Sequence, residues 1–134
     1  MNQHPYLRAY MAGIALPTAF LLIVMTAFTI ARYVCNIPLP IERVIVFPMA
    51  VVPNLWGMWN ILYVALLWKR ISIGVFGAAL PILLAPAGYM MTRLVGFSIP
   101  FLHILPFAFP IALIVYYLAW KYIVGSLNTI IGIA

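Results

Sequence analysis

A chain of 134 residues that is 68% hydrophobic and 6% charged, with Glu42 its single acid, lies far outside soluble composition, where about a quarter of residues are charged. Its net charge of +6 comes from basic residues standing singly or as one pair at the edges of apolar runs. There they suit anionic lipid headgroups, so the charge points to a bilayer and not to nucleic acid. The lone Cys35 excludes an intramolecular disulfide and has no companions for a metal site.

The charges cut the chain into uncharged stretches 9–31, 44–68, 71–92 and 94–120, of 23, 25, 22 and 27 residues. A helix crosses the hydrocarbon layer with about 20 apolar residues. The expectation is an all-α membrane protein, one domain over 1–134. Four transmembrane helices over about 10–31, 44–68, 71–91 and 100–121 would form an up-down bundle of proline-kinked helices.

The first stretch follows Arg8, and its apolar run, 11–31, exceeds the roughly 7–15 residues of a signal-peptide core, which predicts a permanent helix. Ala12, Ala15, Ala19 and Thr26 offer it a small face, and Thr26 and Thr29 are expected to return their hydroxyls to their own backbone. The connection 32–43 carries Pro38 and Pro40, which favour extended backbone along the headgroup layer. Glu42 beside Arg43 reads as a helix cap or local ion pair.

The second stretch holds the one candidate site. Two asparagines and two tryptophans crowd the middle of 44–68, although tryptophan favours the interfacial belts. Pro53, Trp56, Asn60 and Tyr63 are spaced three, four and three apart, so they share a helix face. Asn54, Trp56, Asn60 and Tyr63 are therefore the candidate ligand or pore face. It suits a flat or amphipathic molecule such as a quinone, carotenoid or lipid headgroup, or a narrow polar constriction. The plainer reading gives Asn54 and Asn60 to hydrogen bonds with a neighbouring helix or with the carbonyl that Pro53 frees.

Lys69–Arg70 is the only charged break before the third stretch, which predicts antiparallel neighbours. That stretch carries Gly74, Ala78, Pro81, Ala85 and Gly88 at spacings of four, three, four and three, a candidate helix-packing face. It serves either a dimer seam or the interior of one bundle. Trp56, Trp59 and Tyr63 on the second helix, and Phe107, Phe109, Tyr116 and Tyr117 on the fourth, are the bulky complements. Lys121 marks the expected end of helix four, leaving an apolar tail with Ile130, Ile131 and Ile133. His4 and His103 fall on opposite sides of a four-span chain, so no haem, other cofactor or metal is expected.

With the N-terminus inside, Arg8, Lys69, Arg70 and Lys121 face Arg32, Arg43 and Arg93 across the membrane. Four against three favours cytoplasmic termini in a bacterial inner membrane, while so small a margin also suits dual topology. No metal cluster, nucleophile–base pair or paired carboxylates are present, and no Lys, Arg, Asp, Glu or His interrupts the first three stretches, which excludes the usual enzymatic and proton-coupled devices. The expected function is a non-catalytic accessory or assembly component, with the bilayer, other membrane subunits or a second copy as partners. The alternative is a small oligomeric channel or carrier for a neutral or anionic solute, lined by helix two.

Overall fold

Away from water, an apolar run satisfies its backbone polar groups by forming a helix, and every regular element among the described residues is helical. The computed structural model describes residues 3–38, 51–67, 69–96 and 102–133. In order they form α1 (Pro5–Tyr33), α2 (Val52–Leu62) running on as a π turn (Tyr63–Leu67), α3 (Ile73–Ala78), α4 (Leu80–Val95), a 3₁₀ turn (Leu102–Ile104), α5 (Leu105–Leu118), a second π turn (Ala119–Val124) and α6 (Gly125–Ile130). Three helical runs are long and apolar enough to cross a membrane: Pro5–Tyr33, Ile73–Leu94 and Leu105–Ile130. Part of the expected second span, 44–50 with Pro48, lies outside the described residues, as do Pro40, Glu42, Arg43, Ser98 and Pro100. The run Leu105–Ile130 extends well past Lys121, so most of the stretch expected as a tail is helix.

Proline occupies two kinds of position. Pro53, Pro81 and Pro106 stand in the first turn of α2, α4 and α5, where a missing N–H breaks no intrahelical bond. Pro17, Pro86 and Pro110 lie inside α1, α4 and α5, and each leaves a carbonyl one turn earlier without its usual donor. The run Ile73–Leu94 is broken at Ala79, just ahead of Pro81.

The helices meet where side chains vanish. A Cβ placed on Gly13 of α1 would stand 2.6 Å from the Trp56 carbonyl oxygen and 2.8 Å from the Gly57 Cα of α2. The buried face of α1 is Ala9, Ala12, Gly13, Pro17 and Leu21. Of the expected small face only Ala12 is buried; Ala15, Ala19 and Thr26 are exposed. Thr26 and Thr29 do return their hydroxyls to the Leu22 and Met25 carbonyls, at 2.8 and 2.7 Å.

Between α3 and the second π turn the approach is tighter still, because a Cβ on Gly77 would lie 1.9 Å from the Trp120 ring. The buried face of this run is Gly74, Phe76, Gly77, Leu80, Pro81 and Leu84. It shares Gly74 and Pro81 with the expected stripe; Ala78 and Gly88 are half-buried and Ala85 is exposed. The two sets part already within α3, because the residue that meets the Trp120 ring is Gly77 and not Ala78.

The α2 and α3–α4 runs are antiparallel neighbours, as the short Lys69–Arg70 turn requires. The Trp59 indole donates to the Phe76 carbonyl at 2.8 Å, with its ring stacked on Phe76 at 4.7 Å, and the Tyr63 hydroxyl donates to the Ile71 carbonyl at 3.1 Å. The core is Trp56, Leu80, Leu84, Trp120 and Val124. It gathers towards one end of the bundle, for α5 has no buried residue and burial in α1 stops at Leu21.

Filling either glycine gap overpacks the helix contact, which costs about 1–3 kcal/mol. Gly77→Ala and Gly13→Ala are each expected to lower the unfolding midpoint in detergent–SDS titrations. Ala15→Val, on the exposed face of α1, is expected to stay within about 0.5 kcal/mol of the parent.

Candidate functional site: a buried amide clasp

Two polar side chains are fully buried among the described residues, Asn60 of α2 at 0% exposure and Asn128 of α6 at 1%. The Asn60 Nδ2 donates to the Asn128 Oδ1 at 2.8 Å and to the Ala9 carbonyl of α1 at 2.7 Å. Asn128 donates back through its Nδ2 to the Asn60 Oδ1 at 3.0 Å. One amide pair thereby ties three helices together, with both hydrogens of the Asn60 amide engaged.

Aromatic rings floor the clasp. Trp56, one turn before Asn60, lies 5.2 Å from Trp120 and 5.0 Å from Tyr116, centroid to centroid. The indole N–H groups of Trp56 and Trp120 are buried and have no hydrogen-bond partner among the described residues. Above the clasp, an Arg8 Nη1 donates to the Ile131 carbonyl at 3.3 Å, which sets the start of α1 beside the end of α6. Lys121 remains exposed, with its Nζ 5.6 Å from the Tyr117 ring and 5.2 Å from the Tyr122 ring, an arrangement that holds a cation among aromatics at the bundle's flank.

The candidate residues separate into two groups. Trp56, Asn60 and Tyr63 share the buried face of α2, while Asn54 is exposed and accepts a hydrogen bond from the Tyr10 hydroxyl on the outer surface. The shared face packs against other helices. Asn60 is level with Ala9, about 15 Å from the midpoint of α1 at 1.5 Å per residue. Counting from charge to charge centred the segment on Trp56, whereas the real level is set by what α1 and α6 bring alongside.

Asn128 is the member of the clasp that sequence reasoning missed. It lies beyond Lys121, in the stretch read as a tail. The clasp neither titrates nor carries electrons. No group of three or more His, Cys, Asp or Glu that could hold a metal ion occurs among the described residues.

Two depressions flank it. An apolar groove of about 280 Å³ runs between α4 and α5, lined in part by Pro81, Ala85, Ala108, Ala112 and Tyr116. A cleft of about 580 Å³ lies beside Arg8, Met11 and Ile130–Gly132. No family model matches the chain, and neither the curated proteins nor the solved structures contain a match to it.

An amide left alone in this interior forfeits hydrogen bonds and keeps its desolvation cost, roughly 1–3 kcal/mol. Asn60→Leu and Asn128→Leu are each expected to destabilise the fold by that order. The double variant is expected to cost much less than their sum, because neither amide is then orphaned; a double-mutant cycle on detergent–SDS unfolding measures the coupling.

Proposed function

We propose that this protein is a non-catalytic structural subunit of a membrane complex, held by four spans in the bacterial inner membrane with both termini cytoplasmic. The observation that carries the reading is the use made of its buried polar groups. Asn60 and Asn128 spend their amides on each other and on Ala9, so these buried polar groups serve contacts between helices. The four-span count is supported by the helical stretch 52–67 packing antiparallel to both α1 and α3. Common sidedness of the termini is supported by the Arg8–Ile131 contact, and the cytoplasmic assignment rests on the four-to-three charge count. Bulky apolar side chains cover the outer faces, among them Phe20, Ile23, Phe107, Ile111 and Ile114, as befits contact with lipid and with other membrane helices.

Purification in mild detergent is expected to bring down a stoichiometric membrane partner, and the reconstituted protein alone is expected to pass neither neutral nor anionic solutes across liposomes. Solute flux that disappears in Asn60→Leu would overturn the reading in favour of a channel. A reporter fused after the last residue is expected to be active on the cytoplasmic side; activity confined to the periplasm would refute the orientation.

A further inference from the structure

Helices α2 and α5–α6 meet at two levels, Trp56 against Trp120 and Asn60 against Asn128. On α2 these residues are four apart in regular α-helix. On the other run they are eight apart, and that spacing is wrong for an α-helix. At 3.6 residues per turn, eight residues overshoot two turns by about 80°, which would swing Asn128 away from the face that Trp120 occupies. Yet Trp120, Val124 and Asn128 are all buried, at 0%, 0% and 1% exposure.

The π turn reconciles the two. Over Ala119–Val124 the helix widens, and the Gly125 N–H reaches back five residues to the Trp120 carbonyl. A turn closed in this way holds about 4.4 residues, so each advances roughly 80° instead of 100°. Four such steps from Trp120 to Val124, followed by four α steps to Asn128, bring the rotation to within about 10° of two full turns. The wide turn absorbs one residue more than an α-helical heptad would hold.

We propose that the π turn Ala119–Val124 is a one-residue register device, and that its function is to aim Asn128 at Asn60. The turn and the clasp form one element: returning the same residues to α geometry takes Asn128 off the core face and opens the clasp. Wide turns of this kind are rare and are found at functional positions. Here the turn's effect falls on the two most buried polar side chains among the described residues.

The proposal makes an asymmetric demand on length. Deleting Tyr122, whose side chain is 60% exposed, leaves seven residues from Trp120 to Asn128. A plain α-helix then aligns them to within about 20°, and the clasp survives. Inserting one alanine after Tyr122 makes nine, which misses alignment by about 180° in a plain α-helix and by about 100° with the present π turn followed by α-helix. The full-length chain carrying each change is followed by thermal unfolding in detergent, with and without Asn128→Leu. The deletion is expected to keep the parental Tm and to lose as much from Asn128→Leu as the parent does. The insertion is expected to fall to the Tm of Asn128→Leu and to lose nothing further when that substitution is added. Equal tolerance of both changes, equal damage from both, or a deletion variant indifferent to Asn128→Leu would each overturn the proposal.

Discussion

The packed end of this bundle is organised around a single constraint: two primary amides in a dry interior have to find each other. Lipid can stand in for a leucine, since hydrocarbon tails are equally apolar, but it cannot hydrogen-bond an asparagine. Asn60 and Asn128 therefore fix what apolar contacts leave adjustable, the relative height and rotation of α1, α2 and α6. The other close contacts follow from that level. Once Ala9 is opposite Asn60, Gly13 falls opposite Trp56 and Gly57, one turn deeper, and only a residue without a side chain fits there. The same depth puts Trp56 on Trp120, and Trp120 against Gly77.

Glycine and tryptophan thus act as a pair in this fold. Each indole needs a large recess, and backbone approach at Gly77 supplies one for Trp120. Burying the indole N–H of Trp56 and Trp120 without a partner costs free energy that a phenyl ring would not. The size of the rings, which fill the space among four helical elements, is the compensating gain. Away from this end the packing thins. Helix α5 buries nothing, and the groove beside Ala85, Ala108 and Ala112 leaves α4 and α5 partly apart.

Much of this was legible in the residues. Helical class followed from apolar runs with no alternative outside water, and the antiparallel arrangement of α2 and α3 followed from the shortness of Lys69–Arg70. Asn60 stood out because polar residues are rare in such runs, and Tyr63 followed it by helical spacing. What resisted was anything set by a neighbouring helix. The depth of Asn60 depends on where α1 begins, which no count along 44–68 contains. The recess at Gly77 depends on where Trp120 arrives, and small-residue spacing from Gly74 favoured its neighbour Ala78. On α1, Ala15 and Ala19 had the right size, but α2 approaches on the side of Gly13.

Asn128 was lost for a different reason, and it shows what kind of information the chain withholds. Its partner spacing of eight is unreadable under a 3.6-residue period, since the local geometry that makes it correct is itself a product of the contact. A π turn gives up regular α-helical hydrogen bonding, so local preference alone does not select it. What selects it is the cost of leaving Asn60 and Asn128 unpaired, comparable with the penalty for any buried amide, roughly 1–3 kcal/mol. Local structure here is dictated from outside the local sequence. Burial strengthens that direction of control, because amides shut off from solvent have no second choice of partner.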